Sequence, residues 1–238
     1  MFPTARLLAL LVFALAALHA DDSLAHARRA QLLLGGGTWS RLIRIENRNP
    51  ESAYPPILHA LVFELAGLLW FYTDGDGTQS FSLHRDRLAE EKADFAPLLR
   101  EIDVGFGKWR EIPAATADAA LARAADEALP NGCFIESVAA LHTRILFGTA
   151  TKNPRLLSYY VEGAQGRQGH TVLAYDTREG VEIIDTARPE RVFVFARELR
   201  GDALALARAL DGPEVIKART LALPGRRARV FATMEAEQ

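Results

Sequence analysis

The feature that most constrains how this chain can fold is its single cysteine, Cys133. One cysteine cannot form a disulfide within the chain, so no internal cross-link can hold the fold together. The N-terminal segment is nevertheless typical of an export signal, because Arg6 precedes an uninterrupted apolar run from Leu7 to Leu18. Exported proteins usually carry their cysteines in pairs, because their compartment is oxidising. Cys133 must therefore be buried, paired with another chain or used in chemistry.

The export signal and the shortness of its apolar run favour a soluble protein outside the cytoplasm. The apolar run is shorter than the roughly 20 residues of a membrane span. We therefore expect cleavage after Ala20 and a periplasmic or secreted product without membrane association. A retained, uncleaved anchor stays open as the alternative. Removal of residues 1–20 leaves 218 of the 238 residues, which suits one domain or one domain with a small subdomain. The formal net charge is −2, and basic residues cluster only in GRRAR near the end, so nucleic acid is not an expected partner.

Residues 21–115 are expected to form an α/β extension with no assigned role. A polar helix is predicted over residues 21–34, followed by strands in ILHALVFEL, LLWFYT and TQSFSL. The DGDG turn between the last two strands is a strong hairpin signal. It does not fit a calcium-binding loop, since Gln79 stands where glycine is required. The aromatic run from Trp70 to Tyr72 is interpreted as part of the core.

Helical patterns follow the predicted hairpins. In DRLAEEKADFAPLLREI the apolar residues recur at helical spacing, and Pro97 either breaks the helix or restarts it. The alanine-rich segment TADAALARAADEAL is predicted to begin at Thr116 and to stop at Pro130. This helix would open a second domain, residues 116–238. Toward the C terminus, a helix over residues 202–210 is expected, and the apolar stretches RVFVF, VIKARTLAL and ARVFATM are expected to extend the sheet.

The stretch ALPNGCFIESVAAL places Cys133 at the start of a helix. Asn131 is a favourable N-cap residue, and the turn after it contains Gly132 and Cys133. Unpaired backbone N–H groups and the helix dipole favour an anion at such a position, and a thiolate is the anion available there. One side of the predicted helix is apolar and is expected to pack against a sheet, through Ile135, Val138, Leu141 and Ile145. The thiol would therefore be fixed in place.

A nucleophilic cysteine needs a base, and the sequence favours His170 for that role. The remaining histidines beyond the signal segment are His26, His59, His84 and His142. The first is expected in a loose terminus, and the next two lie in the strand region without an evident acidic partner. The last follows Cys133 by nine residues on the same helix, about 13 Å of axial rise away, and cannot reach the thiol.

The segment GRQGHTVLAYDTREGVEIIDTARP predicts two antiparallel strands joined by a tight Thr-Arg-Glu-Gly turn. If Asp176 faces Val181, then Asp185 faces Val172. Opposed residues point to one face of a sheet, as do residues two apart on one strand. Asp185 thereby becomes the diagonal neighbour of His170. An acid at that place can hold the imidazole tautomer and stabilise the imidazolium.

The order and spacing of Cys133, His170 and Asp185 resemble those of the bacterial transglutaminase-like cysteine proteinases, within the papain-like and transglutaminase-like group. In that family GDC leads the catalytic helix, HAVL opens the histidine strand and LDN ends the next strand. The counterparts here are NGC, HTVL and IDT, and the resemblance covers about residues 125–190. It implies an α+β fold with a papain-like core, a catalytic helix packed on an antiparallel sheet. It also implies a nucleophile at Cys133, a base at His170 and an orienting acid at Asp185.

This chain departs from the family pattern around the cysteine. The acidic flanking residues that some members use for calcium are replaced by Gly132, Phe134 and Ile135, so calcium binding is not expected. The sequence also lacks an HExxH motif and paired cysteines, and we expect neither a metal site nor a cofactor.

The activity expected from these residues is covalent acyl transfer from an amide bond of a protein or peptide substrate. The backbone N–H of Cys133 and the side chain of Asn131 would hold the oxyanion. Hydrolysis is favoured, since no sequence feature suggests a second site for an amine. Two alternatives stay open: a transglutaminase-type acyltransferase, and a non-catalytic binding module on the same scaffold with Cys133 buried.

Overall fold

A computed structural model of the chain describes residues 23–35, 38–74, 77–81, 87–113, 129–130, 132–146, 152–164 and 166–223. They form an α+β structure with two antiparallel five-stranded sheets and a few helices. The chain divides into two compact units, residues 1–132 and residues 133–238. The predicted export signal, the alanine-rich helix before Leu129 and the stretch ARVFATM lie outside the described residues. Among the helices of the described ranges, none is long and apolar enough to cross a membrane.

The first unit contains the helices and hairpins expected of the N-terminal extension. Its elements are α1 (residues 23–34), β1 (Ser40–Asn47), β2 (Ile57–Leu65), β3 (Leu68–Thr73), β4 (Gly77–Phe81), α2 (Leu88–Ala93), α3 (Ala96–Ile102) and β5 (Phe106–Ile112). The strand order is β4-β3-β2-β1-β5. Ala66 and Gly67 join β2 to β3 with positive φ angles of 54° and 76°, as a two-residue hairpin of the favoured twist requires. The run from Trp70 to Tyr72 is buried, as predicted.

One face of this sheet packs against α3 to form the core of the first unit. Ile43 of β1 and Val62 of β2 are fully buried, together with Phe95 and Leu99. The Phe95 and Phe71 rings also pack in a T-shaped arrangement, with centroids 5.9 Å apart. Pro97 lies in the first turn of α3, where a helix does not use the missing N–H group. Pro97 therefore restarts the helix, which is one of the two outcomes that the sequence predicted.

The second unit carries the predicted histidine strand at the centre of its sheet. Its elements are α4 (Cys133–Leu146), β6 (Lys152–Gly163), β7 (Gly166–Asp176), β8 (Gly180–Ile184), β9 (Val192–Ala196), a 3-10 helix (Arg197–Gly201), α5 (Ala203–Asp211) and β10 (Val215–Ala222). The strand order is β10-β6-β7-β8-β9. The Asp202 side chain caps α5 by accepting from the N–H of Ala205, and the helix stops at Gly212.

The β7–β8 hairpin has the register that the sequence predicts. Asp176 lies opposite Val181, and Leu173 lies opposite Ile184. Asp185, the residue after β8, therefore continues the face of β7 that carries Val172 and His170. This face packs against the apolar side of α5 through Val172, Ile183, Leu206 and Ala207. The other face meets α4, where Arg144 pairs with Glu182 and lies over the ring of Tyr175.

Candidate active site

Cys133 is the first residue of α4, and the backbone before it passes very close to Leu129. A Cβ atom added at Gly132 would lie 2.5 Å from the Cβ of Leu129, so this conformation has no room for a side chain at position 132. Glycine is therefore the residue that this backbone conformation accepts at position 132. The thiol of Cys133 forms no disulfide and is half-buried. Asn131, the predicted oxyanion residue, lies outside the described residues.

The start of α4 is held firmly on the second sheet. Ile135 and Val138 are fully buried, as predicted. The buried hydroxyl of Ser137 donates a 3.0 Å hydrogen bond to the backbone carbonyl of Thr171, the residue after the candidate base. Apolar packing and this bond together fix the position of the helix along β7, and with it the position of the Cys133 thiol.

His170 and Asp185 form the predicted diagonal pair. Nε2 of His170 lies 3.0 Å from Oδ1 of Asp185. An ionised carboxylate can only accept hydrogen bonds, so Nε2 donates and Nδ1 is the ring nitrogen left for a second partner. The Tyr159 ring and the imidazole pack in a T-shaped arrangement, with an angle of 89° between their planes and centroids 5.6 Å apart. The imidazole is therefore oriented by a hydrogen bond at one nitrogen and by aromatic packing at its side.

The Cys133 thiol is the further partner of the imidazole. Burial of the ring lowers the pKa of His170, but the hydrogen bond with the Cys133 side chain and the electrostatic interactions with Asp185 and Cys133 outweigh this effect. The pKa of His170 therefore lies above its usual value of 6.5. Two acidic groups that share an imidazole stabilise its protonated form. The structure thus brings together all three side chains that the sequence singled out.

Asp185 is fully buried, and its carboxylate is bonded on both oxygens. Oδ1 also accepts the backbone N–H of Ala187 at 2.9 Å, and Oδ2 accepts Nε of Arg188 at 2.6 Å. Burial raises the pKa of Asp185, whereas the hydrogen bond from Arg188, the charge on His170 and the N–H of Ala187 lower it more. The pKa of Asp185 consequently lies below its usual value of 3.8, and the acid is ionised at neutral pH.

Two further contacts tie the segment after β8 to its surroundings, and sequence reasoning missed both. Thr186 Oγ1 donates to Oε2 of Glu136 at 3.1 Å, which joins this segment to the first turn of α4. Arg188 also reaches Oδ1 of Asp211 at 2.7 Å, at the end of α5. An arginine shortly after the candidate acid was visible in the sequence. Its second partner was not, because Asp211 lies 23 residues further along the chain.

The other histidines have different surroundings. His26 lies in helix α1 and pairs with Asp74 at 3.2 Å, so the expectation of a loose terminus was wrong. Nδ1 of His59 lies 2.9 Å from the hydroxyl of Ser23, and both side chains are buried. His142 is half-buried on α4, and His84 lies outside the described residues. In the described ranges, no group of three or more histidine, cysteine or acidic side chains is arranged to hold a metal ion.

Comparisons with known proteins add no relative: no protein-family model, curated protein or solved structure matches this chain. The family resemblance around residues 125–190 therefore stays a prediction from short motifs. The site itself joins a thiol, an imidazole and a buried carboxylate in that order.

Proposed function

We propose that this chain is an exported cysteine peptidase-like hydrolase with a papain-like core in its second unit. The observation that carries the proposal is the continuous contact from the Cys133 thiol through the His170 imidazole to the Asp185 carboxylate. A thiol at a helix start, a base in contact with it and an acid that orients the base are the parts of covalent acyl transfer. The expected substrate is a protein or peptide amide.

In the first half of the reaction, Nδ1 of His170 takes the proton of Cys133, and the sulfur attacks the amide carbonyl carbon. The C–S bond forms as the carbonyl π electrons move to oxygen, and the backbone N–H of Cys133 stabilises that oxyanion in the proposed reaction. The oxyanion collapses and the C–N bond breaks. The departing amine takes the proton from His170, and a thioester on Cys133 is left.

In the second half, His170 takes a proton from water, and the resulting oxygen nucleophile attacks the thioester carbon. Collapse of this intermediate breaks the C–S bond, releases a carboxylic acid and returns the proton to the site. Asp185 holds the imidazole with Nδ1 toward the sulfur and stabilises the imidazolium in both halves. If an amine replaces water, the same residues perform the transglutaminase-type reaction.

The nucleophile is tested by thiol alkylation at mildly acidic pH, with iodoacetamide on the full chain. We expect fast labelling at the single cysteine that slows by about 10²–10⁴-fold in His170→Ala. The matched control is His142→Ala, which removes a histidine of the helix that carries Cys133. This variant should be labelled as fast as the wild type. A wild-type thiol that reacts no faster than in His170→Ala would refute the enzyme and favour the binding module.

The acyl-enzyme is tested with p-nitrophenyl acetate. One equivalent of nitrophenolate should be released in a burst that Cys133→Ala abolishes, followed by slower turnover. Added glycine methyl ester then separates the two reactions. Turnover that yields only acetate supports a hydrolase, whereas acetylglycine ester as the main product would support the acyltransferase instead.

A further inference from the structure

We propose that Arg188 is a positioning residue of this site, which fixes the Asp185 carboxylate against His170 by bridging Asp185 to Asp211. The proposal rests on the function proposed above and concerns how its acid is held in place. Arg188 is half-buried, with 31% of its side chain exposed, and it lies beside the one carboxylate of the site that is fully buried. It does not contact the thiol or the imidazole in the described geometry, so it would act through Asp185.

The bridge uses two different nitrogens of one guanidinium. Nε of Arg188 lies 2.6 Å from Oδ2 of Asp185, and Nη2 lies 2.7 Å from Oδ1 of Asp211. The fork of a guanidinium is rigid and planar, so its two bonds set the direction of each carboxylate as well as its charge state. With Oδ2 of Asp185 occupied by Arg188, Oδ1 is turned toward His170.

Tyr159 closes these contacts into a ring. Its hydroxyl donates to Oδ2 of Asp211, and its aromatic ring packs against His170 in a T-shaped arrangement. Burial and the bond to Asp211 raise the pKa of Tyr159, so the phenol stays protonated and remains a donor. The path from His170 runs through Asp185, Arg188 and Asp211 to Tyr159 and back to His170. Asp185 is thereby held between His170 and Arg188, and the imidazole of His170 is held between Asp185 and Tyr159.

Phe193 of the edge strand β9 holds the guanidinium itself. The Arg188 guanidinium carbon lies 4.9 Å from the centre of the Phe193 ring. A cation over an aromatic face is attracted to it, and the contact also restricts the plane of the guanidinium. Arg188 therefore has three partners from three elements: the segment after β8, helix α5 and strand β9.

Loss of this bridge has a defined chemical consequence. The Asp185 carboxylate would keep its burial but lose the cation on Oδ2, which favours protonation of the acid and frees it to rotate. A protonated Asp185 no longer stabilises the imidazolium. The reactive thiolate–imidazolium pair would therefore be favoured only at a pH high enough to ionise Asp185. The charged and titratable groups that decide this shift are Cys133, Glu136, Tyr159, His170, Asp185, Arg188 and Asp211.

The test compares Arg188→Met, Arg188→Lys and the control Arg191→Met in the full chain. Arg191 lies three residues away, is 68% exposed and pairs only loosely with Glu190 at 3.7 Å. We expect iodoacetamide labelling of Arg188→Met to slow by about 10–100-fold, the range found when the outer hydrogen-bond partners of metal ligands are removed. The acidic limb of its pH–rate profile should also move to higher pH. Lysine cannot reproduce the fork, so Arg188→Lys should recover only part of the rate. Arg191→Met should behave like the wild type.

A second measurement does not depend on reactivity. In the wild type, the Nε2 proton of His170 should give a downfield NMR signal that is protected from exchange and absent in His170→Ala. The signal should disappear in Arg188→Met and persist in Arg191→Met. If Arg188→Met does not fold, Asp211→Asn removes the far anchor and should weaken the signal while it leaves Arg188 in place.

The two proposals fail in different ways. The positioning role would be overturned if the folded Arg188 variants kept both the wild-type NMR signal of His170 and the wild-type pH–rate profile of labelling. This holds whether or not the protein proves to be an enzyme. Full wild-type behaviour of Arg188→Lys alone would also overturn it, because charge without the fork would then suffice. Loss of the signal in Arg188→Met together with an inert wild-type thiol would refute the proposed enzyme and support the bridge.

Discussion

Each of the two units contains a histidine paired with an aspartate, and the two pairs differ mainly in the burial of the acid. The ring-to-carboxylate distances are similar, 3.2 Å for His26 and Asp74 and 3.0 Å for His170 and Asp185. Both histidine side chains are 21% exposed, but Asp74 is 22% exposed and Asp185 is 0% exposed. The described residues thus contain two histidine–carboxylate contacts of similar length, and such a contact by itself does not define a site.

The second pair is distinguished by what surrounds it. Asp185 is also bonded by Arg188 and by the N–H of Ala187, and the imidazole of His170 interacts with the thiol of Cys133. A buried carboxylate that keeps its charge needs such partners, because burial alone would neutralise it. The candidate chemistry of the second pair therefore depends on the fixed carboxylate of Asp185 and the adjacent sulfur of Cys133. A histidine–aspartate pairing alone does not supply it.

The largest effect should come from removing each histidine in turn. His170→Ala is expected to slow Cys133 alkylation by about 10²–10⁴-fold, because the base in contact with the thiol is lost. His26→Ala should change the rate by less than about twofold, since a substitution away from a catalytic group leaves the chemistry intact. Second-order labelling rate constants of the two variants measure the contrast. Equal labelling rates in His170→Ala and His26→Ala would show that the two histidine–aspartate pairs do not differ in their effect on the thiol.

The next effect should come from the acids. Asp185→Asn keeps the shape of the side chain but removes its charge, and it leaves His170 free to take the unproductive tautomer. We expect the labelling rate to fall by about 10²-fold or more, against no significant change in Asp74→Asn. The pH–rate profile of each folded variant provides the measurement. An unchanged profile in Asp185→Asn would mean that the buried acid only stabilises the fold.

A smaller effect concerns the close approach of the backbone before Cys133. Gly132→Ala places a Cβ against Leu129, and overpacking of this kind typically costs about 1–3 kcal/mol of unfolding free energy. The control is Gly107→Ala in β5, where an added Cβ meets no atom within 4 Å. Urea unfolding of both variants measures the difference. Equal stability would show that the segment before α4 relaxes at no cost.

The smallest effect is the pH dependence of stability that the second pair contributes. The lowered pKa of Asp185 adds stability above pH 3.8 that is lost as the pH falls through the folded pKa. The raised pKa of His170 adds stability below pH 6.5 that is lost as the pH rises through its folded pKa. The wild type should therefore exceed Asp185→Asn in unfolding free energy most clearly between these two values. A difference that is constant from pH 3 to pH 8 would contradict both pKa directions.

Much of the local structure could be predicted from the sequence, because it depends on short-range patterns. The β7–β8 register followed from a four-residue turn and strand alternation, and the start of α5 followed from Asp202. Strands β1, β5 and β6 were not anticipated. β5 is an edge strand whose residues are mostly exposed, and β6 contains Pro154 near its start, so neither presents a clear apolar alternation.

The sequence by itself determined where each candidate group stands in its own element: Cys133 at the start of a helix, and His170 and Asp185 on one face of a hairpin. These placements follow from turns, caps and side-chain periodicity, which act over a few residues. Only the tertiary structure decided that the thiol meets the imidazole and that Arg188 joins Asp185 to Asp211. Contacts of that kind depend on how helices pack on the sheet and which charges become buried, and neither is encoded in a local pattern.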